Sequence, residues 1–371
     1  MIKFKYFFLG LVFCITFFCG FSQSNKFLVV AYYGGNANQI DSFQIEKLTH
    51  IIFSFAHLKG NQLNISNARD SATIKKLDSL KIRKPNLKVM ISLGGWSGCP
   101  TCSDIFSSKK DRKAFAQSVE RIISYFGIDG IDLDWEYPAI EGFPSHKYKP
   151  EDKENFTKLI NRLRKTLGKK YEISFAAGGF TEYIEKSIDW KRVMKKVDFV
   201  NLMTYDLVSG YANKTGHHTA LYSTTQQYES TNRAVTELIN DKVPKNKIVI
   251  GAAFYAKVWE NVPDSNFGLY QTGKYKMNVD YKNFNTKLSS DSGFIYHWDE
   301  EAQAPFLYNP AQKLFATFDD KKSIELKTKY LVDKGLGGIM FWELPCDTFK
   351  DGLLEVIDQV KSQTKKPDNT K

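Results

Sequence analysis

The sequence predicts an α/β fold: a (β/α)₈ TIM barrel with a small α+β insertion between its seventh and eighth strands. Short apolar runs alternate with amphipathic segments along most of the 371 residues. There are eight such runs, and alternation of this kind builds a closed parallel sheet with helices outside it. A barrel takes about 250 residues, so roughly 100 remain, and many of these fall together late in the chain.

The predicted strands are runs rich in Val, Ile and Phe that are bounded by Gly, which is typical of buried parallel strands. In chain order they are Phe27–Tyr33, His50–Phe55, Leu87–Leu93, Ile128–Glu136, Tyr171–Ala177, Val197–Tyr205, Lys247–Phe254 and Leu336–Trp342. Helical patterns lie between them. The clearest are residues 111–126, which Gly127 follows as a stop signal, and residues 151–167.

The first 24 residues differ in composition from the rest. Lys3 and Lys5 precede an apolar run that extends to about Cys19, and small residues follow at Ser22 and Ser24. A charged start, an apolar centre and a small-residue exit are typical of a secretory signal. The run is also shorter than the roughly 20 residues of a membrane span. We therefore expect a signal peptide at residues 1–24 and a secreted, extracellular protein without membrane attachment after its removal.

Charge and composition narrow the possible classes of partner. Charged residues at 25% and aromatic residues at 14% exclude a disordered chain. The formal net charge is +11, but lysine pairs such as Lys169-Lys170 and Lys195-Lys196 lie far apart in the sequence. A nucleic-acid binder usually clusters its cations on one element. We therefore expect solvated charged faces, no nucleic-acid partner and a monomer.

The surplus residues interrupt the barrel pattern late in the chain. Between Trp259 and Phe318 the sequence is mixed, aromatic and rich in Gly and Pro, and it is too long for an ordinary loop. The predicted organisation is a signal peptide at 1–24, barrel at 25–258, insertion subdomain at 259–318, barrel again at 319–360 and a polar tail at 361–371.

The fourth predicted strand carries the strongest chemical signal. Side chains on a strand alternate between faces, so Asp132, Asp134 and Glu136 are expected to share one face and Trp135 to lie on the other. Neighbouring members of the row are about 6.6 Å apart in Cα. Negative neighbours raise the pKa of a carboxyl group, so Glu136 is suited to act as a general acid.

Two other interpretations of this acidic row are open. A purely structural cluster of three acids with no Lys or Arg on the same face is costly, because like charges resist joint ionisation. A divalent-metal site is the second alternative, but the strand has no His and adjacent strand ends supply few further acids. We favour proton transfer and expect no metal and no cofactor.

Residues 129–136 match the pattern D-G-x-D-x-D-x-E, so the sequence resembles family 18 glycoside hydrolases, the chitinases and their relatives. Residues 92–96 resemble the family's S-x-G-G motif, and residues 203–206 its M-x-Y-D motif. Residues 251–255 and 337–342 resemble the motifs of the seventh and eighth strands. Chitinases of the bacterial and animal type also carry an α+β insertion in this gap, so the resemblance covers nearly the whole mature chain.

The resemblance implies a retaining, substrate-assisted mechanism, an exception to the two-carboxylate scheme of most glycosidases. Glu136 is expected to be the acid and base, Asp134 to orient the substrate's acetamido group, and Asp132 to hold Asp134. Tyr205 is expected to hydrogen-bond that acetamido group, and Trp342 to form the floor under the sugar. The other implied substrate-binding residues are Tyr32, Phe55, Gly94, Gly95, Trp96, Tyr137, Met203, Asp206, Tyr211 and Tyr255.

The implied activity is hydrolysis of β-1,4 links between N-acetylglucosamine units, in chitin or its oligosaccharides. An endo-β-N-acetylglucosaminidase acting on N-glycans and a non-catalytic, chitin-binding lectin-like protein are the alternatives. Two positions depart from many relatives and concern sugar contacts. Tyr211 stands where they have Trp, and Lys257 ends a segment that in them reads F-Y-G-R.

Three cysteines remain after the expected signal removal. Cys99 and Cys102 form a C-x-x-C pattern, which in a secreted chain favours a small local disulfide over a redox site. Cys346 is then free or buried, although an exchange of partners is an open alternative. The pair His217-His218 is expected to pack in a loop, because acid and Cys partners at zinc-ligand spacing are missing.

Overall fold

A computed structural model describes residues 27–363 of the protein. Within this range the strands are β1 (Leu28–Tyr33), β2 (His50–Lys59), β3 (Gln62–Asn64), β4 (Lys88–Gly94), β5 (Gly130–Asp134), β6 (Glu172–Gly178), β7 (Phe199–Met203), β8 (Ile248–Ala253), β9 (Tyr255–Glu260), β10 (Lys274–Asp280), β11 (Ile295–Asp299), β12 (Ala304–Asn309), β13 (Leu314–Thr317) and β14 (Gly338–Trp342). The helices are α1 (Ala68–Ser79), α2 (Cys102–Ser107), α3 (Lys109–Phe126), α4 (Asp152–Leu167), α5 (Thr181–Lys186), α6 (Trp190–Val193), α7 (Thr231–Asn240), α8 (Phe284–Lys287), α9 (Lys321–Lys334) and α10 (Leu353–Gln363).

Eight parallel strands close into a barrel. Their order is β1, β14, β8, β7, β6, β5, β4 and β2, and β2 pairs again with β1. The closing pair places Val30 opposite His50, and the other edge of β1 places Leu28 opposite Gly338. Helices occupy most of the connections between these strands, so the predicted (β/α)₈ fold class is confirmed.

Each predicted strand corresponds to a barrel strand, with shifts at the ends. β5 ends at Asp134 and β7 ends at Met203, so Glu136 and Tyr205 lie two residues beyond their strands and not within them. The predicted strands extended past both of these ends because the motif residues keep the same apolar and polar alternation. The hairpin of β2 with β3 was not predicted, since polar residues there hide the strand pattern.

Helix α3 shows why these segments are helical. Its N-cap is Ser108, whose side chain accepts a hydrogen bond from the backbone N–H of Asp111. Its apolar stripe, which includes Phe115 and Val119, is buried against the barrel. Gly127 ends the helix with a φ of 74°, the left-handed conformation that favours glycine.

The insertion forms a second sheet between β8 and β14. Its antiparallel order is β10, β9, β13, β12 and β11. Phe254 is the single residue between β8 and β9, so the second sheet starts at Tyr255, within the segment that the sequence pattern assigned to the barrel. Trp259, where the insertion was expected to begin, is fully buried between the rings of Tyr275 and Phe315.

The predicted signal peptide at residues 1–24 and most of the predicted tail lie outside the described residues. Within residues 27–363 no helix has the length and apolar character needed to span a membrane.

Candidate active site

Asp132 lies inside the barrel on β5, where it is fully buried. One carboxylate oxygen accepts hydrogen bonds from the Tyr32 hydroxyl (3.0 Å) and the Ser92 hydroxyl (2.8 Å). The other accepts from the Ser174 hydroxyl (2.6 Å) and the Asn201 amide (3.3 Å). Burial raises the pKa of Asp132, and these four donors oppose that rise. Donors from four strands thus hold one carboxyl group in place.

Asp134 is the next inward residue of β5 and is also buried. Its Oδ1 has no hydrogen-bond partner within residues 27–363. Burial and the negative charges of Glu136 and Asp132 raise the pKa of Asp134 well above its usual range. The site therefore holds an unsatisfied acceptor beside the predicted acid.

Glu136 lies just beyond the strand end and is half-buried. Burial and the charge of Asp206 raise its pKa to about 7, although a hydrogen bond with the Tyr137 hydroxyl opposes the rise. A carboxyl group with this pKa holds a proton near neutral pH, as a general acid must.

Two glycines bring the loop after β4 against the acids. A Cβ on Gly94, whose φ is +118°, would lie 2.0 Å from the backbone oxygen of Asp134. The N–H of Gly95 donates to that same oxygen at 3.0 Å. A Cβ on Gly95 would meet the ring of Phe55 at 2.5 Å. The S-x-G-G motif therefore permits a close approach that no larger residue allows.

Asp206 follows β7 and sits in a cluster of donors. Its Oδ1 accepts a hydrogen bond from the Tyr255 hydroxyl (2.6 Å) and lies 3.1 Å from Lys257 Nζ and 3.4 Å from His218 Nδ1. Partial desolvation opposes ionisation of Asp206, whose side chain is still 47% exposed, but the hydrogen bond with His218 and the charge of Lys257 outweigh it and lower the pKa of Asp206. Tyr205 packs beside the cluster, with its ring centroid 6.3 Å from that of Tyr255.

Aromatic rings from three neighbouring strands form one wall of the cleft. The rings of Trp342 and Phe55 are stacked, with centroids 5.4 Å apart and an interplanar angle of 13°. The Tyr32 ring lies 5.8 Å from the Trp342 ring. Met203 packs in the same inner cluster. These predicted residues come together.

A second aromatic group lies on the loops after β4, β5 and β7. The Trp96 ring is 6.1 Å from the Tyr137 ring and 6.1 Å from the Tyr211 ring. Tyr211 is 67% exposed and Trp96 is 37% exposed, so both present surface to a ligand. Because these loops flank the acids, the two rings close one side of the cleft.

Other tryptophans belong to the core. Trp135 faces the helices, as strand alternation predicted, and its ring contacts those of Phe106 and Phe156. Trp190 is buried and donates its indole N–H to the carbonyl of Ile184.

The cysteine pair Cys99 and Cys102 and the histidine pair His217-His218 make contacts within the fold. Cys99 and Cys102 form a disulfide with Cα atoms 5.4 Å apart, and Cys346 is buried as a free thiol. His217 is buried and contacts Asp299 on β11 at 2.9 Å. Within residues 27–363, the His, Cys, Asp and Glu side chains form no group of three or more suited to a metal ion.

Sequence reasoning missed several residues that shape the site. Ser174 and Asn201, which hold Asp132, were not singled out, although each lies at an inward position of its strand and could have been found by alternation. His218 was expected only to pack in a loop, yet it contacts Asp206. The pairing of Lys257 with Asp206 had no sequence signal, because it depends on how β9 leaves the barrel.

Comparison with known proteins identifies the family of this chain. The family described as "Glycosyl hydrolases family 18" matches residues 28–347. Chitinase A1 of Niallia circulans is 32% identical over 304 residues, covering 76% of this chain and 43% of that protein. The chain thus spans less than half the length of that relative. Chitotriosidase-1 of Mus musculus is 28% identical over 328 residues, covering 81% of this chain and 68% of that protein.

A solved structure has the same architecture. It is a glycoside hydrolase family 18 N-acetylglucosaminidase from Paenibacillus barengoltzii, with a TM-score of 0.82 and 35% identity, covering 90% of this chain and all of that chain. The family match extends over most of the chain and includes each strand that carries an acid or a cleft aromatic residue. The protein therefore belongs to family 18 of the glycoside hydrolases and is a chitinase-like glycosidase.

Proposed function

We propose that the protein is a secreted chitinase that cleaves β-1,4 links between N-acetylglucosamine units, with Glu136 as acid and base. The observation that carries the proposal is the pair formed by Glu136, whose pKa is raised to about 7, and Asp134, whose buried Oδ1 has no partner within the described chain. A substrate amide N–H supplies the donor that Asp134 lacks. The acetamido group of an N-acetylated sugar provides such an N–H.

The proposed reaction has two steps. Glu136 donates its proton to the glycosidic oxygen while the acetamido carbonyl oxygen attacks the anomeric carbon and the leaving sugar departs. Asp134 accepts the acetamido N–H and stabilises the resulting oxazolinium ion. Glu136, now ionised, takes a proton from water, whose oxygen attacks the anomeric carbon while the bond from that carbon to the acetamido oxygen breaks. The acetamido group is regenerated and the original configuration is restored. No carboxylate nucleophile is needed.

The surrounding residues orient the sugar in this proposal. Tyr205 hydrogen-bonds the acetamido group, and Met203 and Asp206 shape the pocket around it. Trp342 supports the sugar ring from below, because aromatic faces pack well against the apolar face of a pyranose. Trp96 and Tyr211 contact the next sugars along the chain. The expected ligands are chitin and its oligosaccharides, bound without a cofactor by a monomer.

The first test replaces the acid alone. Glu136→Gln should lower kcat on chitin oligosaccharides by about 10²–10⁴-fold, the contribution typical of a general acid, while oligosaccharide binding is retained. The matched control is Glu141→Gln, an exposed glutamate in the following loop with no ion pair within the described residues. A Glu136→Gln variant as active as the unmodified protein would refute the proposal. It would also revive a lectin-like role.

A second activity is favoured by one comparison. One solved relative, matched over its whole length at 35% identity, is described as an N-acetylglucosaminidase, which suggests release of single sugars from chain ends. A time course of hydrolysis of the pentasaccharide of N-acetylglucosamine distinguishes the two activities. Early appearance of dimers and trimers supports a chitinase, and monomers from the first time point support the second activity. Release of N-glycans from a high-mannose glycoprotein, with no cleavage of chitin oligomers, would favour the endoglycosidase alternative.

A further inference from the structure

A basic surface lies at the end of the barrel opposite the cleft. It is formed by the last turn of α4 with the loop after it (residues 164–171) and by the loops of residues 194–198 and 241–247, and we call it the basic face. These loops precede β6, β7 and β8, which are neighbours in the sheet. Parallel strands begin at the same end of a barrel, so lysines that are far apart in the sequence are brought together there.

Hydrogen bonds join the three loops into one surface. The Arg164 guanidinium donates to the carbonyl of Lys196 at 2.7 Å and pairs with Asp198 at 2.6 Å. The ammonium group of Lys247 donates to the carbonyl of Val197 at 2.7 Å. These contacts therefore hold in place the backbone segments that carry the exposed lysines.

The charge of this face is one-sided. Its loops contain nine Lys and Arg residues against two acids, Asp198 and Asp241. Asp198 is paired with Arg164. The exposed lysines that form no ion pair with a carboxylate in the described part of the chain are Lys165, Lys169, Lys170, Lys195, Lys196, Lys242 and Lys245. The acids of the cleft lie at the other end of strands about 20 Å long.

The side chains of the basic face suit a surface of phosphates better than a polymer of bases or sugars. Stacking on nucleobases or sugars needs exposed aromatic rings. The one aromatic ring in these loops, that of Tyr171, is half-buried, with its hydroxyl 3.1 Å from Ser124. Lysine ammonium groups on separate loops act as point charges that match phosphates without fixed geometry. The face also lacks an exposed large apolar side chain that would insert among acyl chains.

The chain itself connects this face to an apolar segment. β1 begins at the same end of the barrel, and Phe27 lies there against Lys361, whose ammonium group is 5.7 Å from its ring. Seven residues separate Phe27 from Cys19, the end of the apolar run. They span at most about 30 Å. Before the expected removal of the signal peptide, while that run is held in a bilayer, the basic face stays close to the headgroups.

We propose that the basic face docks on a bilayer containing anionic phospholipids and directs the cleft away from it. The partner is the layer of headgroup phosphates. The inference is independent of the proposed reaction and departs from the expectation of a protein without membrane contact. Binding energy comes from several lysines together, and each lysine near an anionic membrane strengthens binding about fivefold.

The test measures binding of the full chain to sedimented vesicles of phosphatidylcholine alone and of phosphatidylcholine mixed equally with phosphatidylglycerol. The neutral vesicles report any contribution from the apolar segment. One variant reverses a lysine on each loop: Lys169→Glu, Lys195→Glu and Lys245→Glu. Its control reverses three exposed lysines at the start of α3, at the cleft end: Lys109→Glu, Lys110→Glu and Lys113→Glu. Both change the net charge equally.

We expect preference for the anionic vesicles, loss of that preference in high salt, and about a hundredfold weaker binding for the basic-face variant but not for the control. Hydrolysis of soluble oligosaccharides and the melting temperature should match the unmodified protein in both. Equal binding to the two kinds of vesicle overturns the proposal, as does an equal loss in both variants. Tighter binding to soluble polyphosphate than to the anionic vesicles would assign the face to a polymer instead. If the reversed variant fails to fold, the same comparison of Lys169→Gln, Lys195→Gln and Lys245→Gln with Lys109→Gln, Lys110→Gln and Lys113→Gln decides the matter.

Discussion

Glu136 owes its proton to its surroundings. It is half-buried, and the charge of Asp206 adds to the cost of ionising it. Each of these favours the neutral acid over the carboxylate. The same residue on an exposed loop would be ionised at neutral pH and could not protonate a leaving group.

This arrangement predicts the pH dependence of activity. The pKa of Glu136 is raised to about 7, so the acid form dominates below pH 7 and is lost as the pH rises. We expect kcat/KM for an uncharged oligosaccharide to fall about tenfold per pH unit above 7. Asp206→Asn removes a charge that raises this pKa, and it should move the falling limb to lower pH. A limb that stays in place would mean that another group controls it.

Among the elements, the turn after β4 depends most strictly on its residue type. Gly94→Ala would place a methyl group against the backbone of Asp134, in a region of φ that non-glycine residues avoid. We expect a loss of about 1–3 kcal/mol of stability and at least a hundredfold of kcat, because the acid strand is displaced. Chemical unfolding and oligosaccharide hydrolysis measure the two.

Gly60→Ala is the matched control for this turn. Gly60 also has a positive φ, +59°, but nothing lies within 4 Å of an added Cβ. The Gly60→Ala variant should lose about 1 kcal/mol of unfolding free energy and keep its activity. Equal effects of the two substitutions would show that backbone strain, and not contact with Asp134, decides the result.

Helix α9 is attached to the barrel through a buried ion pair. Lys327 is fully buried and contacts both oxygens of Asp319 at 2.7 Å. Asp319 in turn accepts a hydrogen bond from the N–H of Ala253 at the end of β8. Lys327→Ala leaves the carboxylate buried and unpaired, which should cost about 3–5 kcal/mol of unfolding free energy.

Lys329 provides the comparison on the same helix. It pairs with Glu325 on the exposed surface, so Lys329→Ala should change stability by less than about 1 kcal/mol. Denaturant unfolding of both variants tests the difference. Similar losses would mean that helix propensity rather than burial accounts for the effect at Lys327.

At the scale of the whole molecule, the barrel and the second sheet share contacts that tie their stability together. β9 continues from β8 after one residue, Lys257 on β9 pairs with Asp206 of the barrel, and Trp259 donates its indole N–H to Ala212 at 3.3 Å. The insertion therefore supports the loop that carries Tyr205 and Asp206.

Phe315→Ala tests this coupling. Phe315 is fully buried in the second sheet and touches the rings of Trp259 and Phe306. Loss of the Phe315 ring should lower the free energy of unfolding by about 3–5 kcal/mol. The variant should unfold in a single transition at a lower temperature, and its activity should be lost in that same transition. Two separate transitions, with activity following only the later one, would show that the sheets unfold independently.

The sequence by itself determined the repeating pattern, the face on which each strand residue lies, and the order of the motifs. Asp132 and Trp135 are on opposite faces because side chains alternate along a strand, which is a local rule that needs no knowledge of the fold. The alternation rule did not predict the exact strand ends at Asp134 and Met203, because pairing with neighbouring strands decides where a strand stops.

The tertiary structure alone decided which distant residues meet. Closure of the barrel brings Ser174 and Asn201 to Asp132, and the path of β9 brings Lys257 to Asp206. It also gathers the separate lysine pairs into the basic face. Alternation sets the direction of a side chain within its own strand, whereas its neighbours across the barrel depend on strand order and register, which are fixed by the packing of the whole chain.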